Sequence, residues 1–372
     1  MIKNPTRLTR RQLVWTAPAV GLVVVAAAVG IPMVASASPS LPHRSAAQLL
    51  VDVSKAGETP MSGTVVETAR LGLPALPEVG GMSISPTALL AGSHTARVWY
   101  DGATKARIAL VGNLAETDLV RNGRDVWLWT SGQNTAQHVR LPAEMAHATP
   151  SSSLAAESVT PQQAANEALA AVNPTTKVTV DGTASVAGRS AYELVLEPRD
   201  SRSLVGDVRI AVDAKTSVPL RVQVHAAGAT GRPAFETTFT SVSFGKPSAS
   251  VFRFAPPPGA KVTTTHVAPP SPDVKDPART TPDGSSPKVI GKGWTTVVEL
   301  SGVSLTPGGP GRERGGAAAQ LSALTRAMTP VSGAFGSGHV LRTKLVTVLL
   351  LDDGRAFVGS VSPAFLEQVA AK

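Results

Sequence analysis

The 372-residue sequence contains no cysteine. This absence excludes disulfides, thiol catalysis, cysteine metal sites and acylation at a lipobox cysteine. Aromatic residues make up only 4% of the chain and charged residues 16%. The net charge of +9 suits anionic lipid headgroups or wall polymers, but the Lys and Arg residues do not form the clustered stripe that nucleic-acid binding needs. We therefore expect no nucleic-acid partner, and a fold that depends on a hydrophobic core.

The sequence also lacks the usual catalytic motifs. Its seven histidines show no metal-ligand spacing, and there is no Gly-x-Ser-x-Gly elbow. The glycine-rich loop at 333–338 has no Lys-Ser/Thr partner, so it does not fit a phosphate site. Asp352 and Asp353 suit a turn, while Glu116 and Asp118 suit a solvated strand edge. We predict that the protein is not an enzyme and uses no metal or cofactor.

The N-terminus has the pattern of an export signal. Four basic residues precede position 12 with no acidic residue among them, and an apolar run from Ala17 to Ala35 follows. The run closes on Ala35-Ser36-Ala37, which is typical of a cleavage site. The pair Arg10-Arg11 leaves the twin-arginine and general export routes both open. Residues 1–37 are thus predicted to be a signal peptide, with an uncleaved membrane anchor over 13–35 as the alternative, and the rest of the chain to be extracytoplasmic.

Proline-rich sequence divides the exported chain. Residues 256–288 carry many prolines and almost no large apolar side chain, which predicts a semi-extended linker. The linker separates a first domain over 40–255 from a second domain over 289–372.

Turn and capping signals predict the fold of both domains. Ser45 and Gln48 form a capping box for a first helix, and a second helix is expected over Pro161–Val172. Asp-Gly and Asn-Gly pairs separate short strands throughout the first domain. The predicted class is α+β: a curled antiparallel β half-barrel of about ten strands packed on helices, plus a small C-terminal α+β domain. In the latter, we expect strands at Trp294–Leu300 and Val340–Leu351 and a helix at Ala317–Met328.

One segment of the first domain combines apolar side chains with backbone breakers. Residues 71–92 contain three prolines and four glycines, which disfavour a regular helix or strand. The segment is nevertheless too apolar to float in water. It covers the core as a loop, forms a lid over an apolar pocket, or dips into a membrane or a partner. In the second case its ligand-binding residues are Leu73, Leu76, Val79, Met82, Ile84, Leu89 and Leu90.

The tryptophans form a second candidate set. Trp99 stands next to Tyr100, and Trp127 and Trp129 share one face of a strand because side chains alternate along it. They line a ligand cavity if that face is open, and they belong to the core if it packs against the protein.

The order of elements and several strand-turn phrases carry a family resemblance. These phrases are Arg97–Gly102, Glu116–Gly123, Asp125–Trp129 and Val251–Phe254. With them, residues 40–258 resemble the LolA/RseB-type lipoprotein-carrier superfamily, in particular actinobacterial "outer membrane lipoprotein carrier"-like proteins. The resemblance implies a LolA-like half-barrel with an apolar cavity for acyl chains. The composition, rich in Ala, Gly, Pro and Arg, also fits a high-GC actinobacterium.

Two functions follow from this resemblance as expectations. The first is a carrier or chaperone of the cell envelope that binds a lipid or an acylated lipoprotein. The alternative is a regulatory sensor similar to RseB/MucB, which docks on a membrane protein such as an anti-sigma factor. The additional domain over 289–372 favours the alternative, because LolA-type carriers usually have one domain.

Overall fold

The structure of the chain is a computed structural model, and it describes residues 41–73, 91–112, 115–143, 160–162, 165, 174–266, 287–303 and 326–372. This part of the chain is mostly β-sheet, with two α-helices whose bounds it gives. No helix in it is long and apolar enough to cross a membrane. The predicted signal or anchor lies outside the described residues.

Helix α1 (Ala46–Lys55) begins where the capping box predicts. The Ser45 backbone N–H donates to Gln48 Oε1 at 3.0 Å, and the Gln48 N–H donates to Ser45 Oγ at 3.3 Å. Leu49 and Val53 are fully buried, as their helical spacing predicts. Of the second predicted helix, only Pro161, Gln162 and Ala165 are described, and all three are helical.

Within the described residues, twelve strands form the first sheet. They are β1 (Met61–Arg70), β2 (Ala91–Tyr100), β3 (Lys105–Val111), β4 (Glu116–Asn122), β5 (Asp125–Thr130), β6 (Thr135–Arg140), β7 (Thr176–Val186), β8 (Arg189–Pro198), β9 (Val205–Asp213), β10 (Pro219–Ala226), β11 (Phe235–Phe244) and β12 (Lys261–His266). Their order across the sheet is β12-β6-β5-β4-β3-β2-β1-β11-β10-β9-β8-β7. Among the described strands β12 and β7 form the two edges, so the sheet does not close on itself.

The strand count of about ten is corrected to twelve. One strand that the composition did not predict is β12, which lies inside the stretch assigned to the linker and pairs parallel with β6. The predicted turn at Asp181-Gly182 is also wrong: β7 runs through it, with a register shift between Val180 and Thr183. Gly182 has a positive φ of 72°, as it would in a tight turn, but here the residue lies in a β-bulge. The half-barrel shape stays a prediction.

In the second sheet the structure describes six strands in the order β13-β14-β18-β17-β16-β15, and all neighbouring strands are antiparallel. Its elements are β13 (Lys288–Ile290), β14 (Val297–Leu300), β15 (Thr329–Gly333), β16 (Gly336–Arg342), β17 (Thr347–Leu351), β18 (Ala356–Gly359) and helix α2 (Pro363–Ala370). Ser362 caps α2 by accepting a hydrogen bond from the Phe365 N–H, as serine does at helix N-termini.

Two predictions for this second part are wrong in detail. The strand expected over Val340–Leu351 is two strands, because the Thr343 hydroxyl accepts hydrogen bonds from the backbone N–H groups of Leu345 and Val346 and closes a turn. Trp294 lies in a 3₁₀ turn and not in a strand. The helix expected over Ala317–Met328 lies outside the described residues except for its last three positions.

The main core joins the two sheets. Leu49 and Val53 of α1 pack in one buried cluster with side chains of β8, β9 and β10 such as Leu194 and Ile210. Leu345, from the turn between β16 and β17, belongs to the same cluster and is 8% exposed. The predicted division into domains at 40–255 and 289–372 therefore stays a prediction, with a shared core between the two parts.

Candidate functional site

The strands β1–β6 present two faces whose residues follow from their register. On one face Trp99, Arg107, Val120, Trp127 and His138 lie directly opposite one another across five strands. We call this side the tryptophan face. On the opposite side of the sheet, a second row of residues paired across neighbouring strands consists of Val98, Ile108, Leu119 and Leu128.

The second side is the one on which α1 packs, and we call it the α1 face. Glu67 on β1 pairs with Thr237, which in turn pairs with Val222 on β10. Val222 belongs to the cluster that contains Leu49 of α1. Residues two apart on a strand share a face. Counting in steps of two along β1 and β2, the row that begins at Val98 therefore lies on the same side of the sheet as Glu67.

The tryptophan face is occupied by the protein's own aromatic side chains. Trp127 stacks on His138 with ring centroids 4.1 Å apart and an angle of 9° between the planes. Phe254 lies against both Trp127 and Trp129, at 5.3 and 6.3 Å between ring centroids. The three predicted tryptophans are partly buried there, and Trp127 and Trp129 share a face as their spacing predicts.

Polar contacts hold the segment that carries Phe254 against this face. Arg107 donates to both carboxylate oxygens of Asp118, and its Nη1 donates to the Val251 carbonyl oxygen at 3.3 Å. The guanidinium carbon of Arg107 also lies 5.6 Å from the centre of the Trp99 ring, within the range of a cation–π contact. Phe252 is 1% exposed. Because of these contacts, the segment that carries Phe254 packs against the tryptophan face.

One polar atom of this layer is buried without a hydrogen bond. In the part of the chain that the structure describes, the Trp129 indole Nε1 has no partner. Nearby, His138 Nε2 lies 2.9 Å from Asp125 Oδ1. An unpaired indole N–H costs stability, but Trp129 itself is only partly buried, so the atom does not define a site.

The α1 face carries an apolar strip that is partly open. Ile108, Leu119 and Leu128 are only partly buried, although they lie on the adjacent interior strands β3, β4 and β5. Ile108 also packs against two buried clusters. Leu110 and Val98 beside them are 4% and 5% exposed. Partly accessible aliphatic side chains on neighbouring interior strands form a surface on which an apolar ligand can lie.

Polar residues border the strip at both ends. At one end Arg121, 4% exposed, lies two residues from Leu119 on β4, and Ala106 lies between it and Tyr100 across the strands. Burial lowers the pKa of the Arg121 guanidinium, and Tyr100 acts in the opposite direction. At the other end Thr117, which is 6% exposed, lies two residues from Leu119 on β4.

Most residues of the predicted lid lie outside the described part of the chain. These are Leu76, Val79, Met82, Ile84, Leu89 and Leu90. Leu73 is described, is partly buried, and packs against a cluster of the second sheet that contains Leu341 and Leu350. The Leu71 carbonyl oxygen accepts a hydrogen bond from the Lys344 N–H at 2.9 Å. The start of the segment is thus held by the second sheet, and its role as a lid stays a prediction.

The described residues contain no group of three or more His, Asp or Glu side chains that could hold a metal ion. Asp353 lies in a hairpin turn, where it accepts hydrogen bonds from the Arg355 backbone and side chain. Asp118 is bound to Arg107. Each of these carboxylates therefore has a structural partner.

Sequence reasoning missed the strip on the α1 face. Ile108, Leu119 and Leu128 belong to strands whose register is set by the Asp101-Gly102 and Asn122-Gly123 turns, both of which were identified. Aligning the strands from those turns would have placed the three side chains opposite one another.

Comparison with known proteins gives one family match. Residues 85–264 match the family described as "Predicted periplasmic protein (DUF2092)", which agrees with the extracytoplasmic location predicted from the sequence. Among curated proteins, none matches the chain significantly.

Several solved structures are similar to the chain. The complex of MucA and MucB from Pseudomonas aeruginosa is 18% identical, with a TM-score of 0.43 over 87% of this chain and 96% of that one. The lipoprotein LppX from Mycobacterium tuberculosis is 12% identical, with a TM-score of 0.28 over 54% and 94%. A LolA superfamily protein from Nitrosomonas europaea is 11% identical, with a TM-score of 0.22 over 57% and 99%. The predicted resemblance is confirmed in that the structures similar to this chain include both a LolA superfamily protein and MucB, while the actinobacterial type stays a prediction.

Proposed function

We propose that this protein is a non-catalytic, extracytoplasmic binding protein of the cell envelope, and that its α1 face takes up an acyl chain of a lipid or of an acylated lipoprotein. The observation that carries the proposal is the apolar strip of Ile108, Leu119 and Leu128, which is partly open on the interior strands β3, β4 and β5. The predicted export signal and the family described as predicted periplasmic support the location.

The energetics of such a site need no polar motif. Each methylene group that leaves water contributes about 0.8 kcal/mol. Ten methylenes would contribute about 8 kcal/mol before the costs of ordering the chain are subtracted. An acyl chain can therefore bind to aliphatic side chains alone, which accounts for a binding protein whose sequence shows no ligand motif.

The predicted lid completes the proposal. Residues Leu76 and Leu89 would cover the chain once it lies on the strip, while Leu73 is held against the second sheet. In this arrangement the tryptophan face supports the sheet from the other side. Contact of Trp99, Trp127 and Trp129 with the ligand is the less favoured alternative, because Phe254 lies against two of them.

A charged side chain on the strip tests the proposal. We expect Leu119→Asp to abolish co-purification of acyl lipid, since a carboxylate at the middle of the strip would have to lose its hydration when a chain binds. The measurement is native mass spectrometry with lipid extraction on the exported protein. Val111→Asp is the matched control, because Val111 is 47% exposed and lies on the tryptophan face.

Two outcomes would contradict the proposal. If both variants are folded by circular dichroism and carry the same stoichiometric lipid as the wild type, the strip is not the site. If the wild-type protein is folded and carries no acyl lipid after export in a related bacterium, the proposed function itself fails.

A second candidate function has its own observation. On one face of the second sheet Val289, Val298, Val358 and Val348 lie opposite one another across four strands. Val289 is 65% exposed, and the other three are partly buried. A row of accessible valines suits the docking of a partner protein, here a membrane protein such as an anti-sigma factor.

Point substitution is the suitable test for this docking surface. Deleting residues 289–372 would remove Leu345 from the main core and would damage the fold. We expect Val289→Lys to weaken binding of a purified extracytoplasmic anti-sigma segment by at least about tenfold, the equivalent of 1.4 kcal/mol. Val262→Lys, on β12 and 46% exposed, is the control. Equal binding by both variants would exclude the valine row as the dock.

A further inference from the structure

Strand β12 is an edge of the first sheet, and β6 is the strand that pairs with it among the described residues. The Lys261 N–H donates to the Asn134 carbonyl oxygen at 2.9 Å, so the backbone of Lys261 points toward β6. Because backbone groups of successive strand residues point to alternate sides, those of Val262, Thr264 and His266 point away from β6. Each of these three residues offers one donor and one acceptor to a further strand.

The other described edges carry features that hinder the addition of a strand. Strand β7 is interrupted by its bulge between Val180 and Thr183, β13 has only three residues, and β15 contains Pro330, which has no backbone N–H. Residues 262–265 of β12 read Val-Thr-Thr-Thr, without proline or glycine, and all four are exposed. Such β-branched residues favour strand pairing, so β12 is the described edge best suited to accept a partner strand.

The apolar strip leads to this edge. The row of Ile108, Leu119 and Leu128 continues across the sheet to Gln137 on β6 and Thr263 on β12. Both of these last residues are polar and exposed. Neighbouring strands are about 4.8 Å apart, so Thr263 lies about 10 Å beyond Leu128 on the α1 face. A ligand whose acyl chain lies on the strip can therefore place its polar end at the β12 edge.

The small size of the edge favours a ligand that is also held elsewhere. A contact along the six residues of β12 buries far less than the roughly 1,200 Å² of a stable interface between proteins. A second copy of the chain that pairs through β12 alone would therefore dissociate readily. An acylated peptide uses both surfaces at once, and pairing of its backbone adds affinity because the acyl chain already holds it beside the edge.

We infer that the outer edge of β12 binds the extended peptide part of an acylated ligand as an additional strand, while the acyl chain lies along Ile108, Leu119 and Leu128. Backbone groups of Val262, Thr264 and His266 provide the hydrogen bonds, as in other cases of strand addition. This inference rests on the proposed function and deepens it, because it names an acylated peptide rather than a free lipid as the preferred ligand.

The experiment uses three synthetic probes with delipidated full-length exported protein. They are N-palmitoyl serine amide, an N-palmitoylated hexapeptide of alternating serine and valine, and the same hexapeptide without the acyl group. Competition against a fluorescent fatty acid, below the critical micelle concentrations, measures their affinities. For the wild type we expect the lipopeptide to bind at least about tenfold more tightly than N-palmitoyl serine amide, and the free hexapeptide not to compete.

Methylation of the peptide backbone tests the strand pairing itself. Two further lipopeptides carry N-methyl groups on all valines or on all serines, and each therefore lacks every second N–H donor. A peptide paired with β12 directs only alternate N–H groups toward it. We expect one methylated lipopeptide to bind like N-palmitoyl serine amide and the other like the unmodified lipopeptide. Equal affinities of the two methylated forms would overturn the inference.

Thr264→Pro is the matching change in the protein. The Thr264 N–H points away from β6, so proline removes a donor to the ligand and no bond to β6. We expect its affinity for the lipopeptide to fall to that for N-palmitoyl serine amide, with the latter unchanged. Ser332→Pro is the control, because Ser332 is exposed on the edge strand β15 two residues after Pro330. An equal loss in both variants would contradict the inference. Should Thr264→Pro fail to fold, the methylated lipopeptides decide the question on the wild type.

The outcomes distinguish this inference from the proposed function. Equal affinity of the wild type for the lipopeptide and N-palmitoyl serine amide refutes the peptide site and leaves acyl binding intact. Binding of neither probe by a folded wild type refutes both. Competition by the free hexapeptide would make the edge a site for peptides without an acyl group. Dimers in light scattering that disappear in Thr264→Pro would assign the edge to a second copy of the chain. Either of these last two results also overturns the inference.

Discussion

Asp213 is a carboxylate held by several hydrogen bonds at the turn between β9 and β10. It is 1% exposed. It accepts hydrogen bonds from the Arg189 side chain, from the Thr216 hydroxyl and from the backbone N–H groups of Lys215 and Thr216. Burial acts to raise the pKa of Asp213, but the bonds from Arg189, Thr216 and Lys215 outweigh it and leave the pKa below its usual value.

We expect Asp213→Asn to lower the free energy of unfolding at pH 7 by about 2 kcal/mol, since charge-assisted bonds to a buried group are lost. Because the folded pKa lies below the ordinary value of about 3.9, the stabilisation is complete above that value and disappears as the pH falls through the folded pKa. Urea unfolding between pH 7 and pH 2 should therefore show the two proteins converging in acid.

Asp200→Asn is the control for this prediction. Asp200 also pairs with an arginine, Arg202, but that pair lies at the surface, with 56% of the arginine side chain exposed, and solvent screens it. Its removal should leave the midpoint of unfolding almost unchanged. A loss as large as that of Asp213→Asn would show that burial is not what distinguishes the two pairs.

Single residues also show where sequence reasoning stops. The two-residue period correctly assigned Trp127 and Trp129 to one face, yet a period of two is the same for either side of a sheet. Which side packs against the protein depends on Phe254, more than a hundred positions later in the chain. The same limit applies to Ile108, Leu119 and Leu128, whose partly open position depends on what covers each side.

At the scale of elements, β1 and β11 approach each other closely at Gly63. A Cβ atom added to this glycine would lie 2.4 Å from the Ser241 carbonyl oxygen and 2.9 Å from a ring carbon of Phe239. The register of the two strands shifts next to it, between Thr64 and Val65. A side chain is excluded here because backbone atoms, which cannot move aside, occupy its place.

We expect Gly63→Ala to destabilise the protein by about 2 kcal/mol through overpacking. The measurement is the midpoint of thermal unfolding, compared with Gly57→Ala. Gly57 lies in the 3₁₀ turn after α1, has an ordinary negative φ, and has nothing within 4 Å of an added Cβ. If both variants are equally stable, the β1–β11 contact is looser than the distances imply.

Signals between neighbouring residues predicted most helices and strands. The wrong predictions concern elements that depend on pairing with residues far away in the sequence. The capping box of α1 and the Asp-Gly and Asn-Gly hairpins depend on neighbouring residues, so they can be read from the sequence. Strand β12 cannot, because its parallel pairing with β6 joins segments more than a hundred positions apart. Likewise, the Asp181-Gly182 pair has the same local chemistry in a bulge as in a turn, and only the partner strand β8 decides between them.

At the scale of the whole molecule, the two sheets share contacts that are expected within a single folding unit. The Trp294 indole N–H donates to the Thr176 hydroxyl at 2.8 Å, and the Leu204 N–H donates to the Ser360 carbonyl oxygen at 2.8 Å. Leu345 belongs to the main core that Leu49 of α1 and the strands β8–β10 form. The proline-rich composition of residues 256–288 predicts a linker between two domains, but it does not indicate whether the two sheets contact each other.

These contacts predict that the two sheets unfold together. Leu345→Ala should cost about 3 kcal/mol, as large-to-small changes in a core do, and should lower one common transition. The amide protons of β8–β10 should then exchange faster, although the substitution lies in the other sheet. Leu349→Ala, in the second sheet's own core and fully buried, should produce the same single transition, because loss of either core removes support from the other. Two separate transitions, with β8–β10 protected in Leu349→Ala, would instead establish independent domains and make the second sheet a module that can move relative to the first.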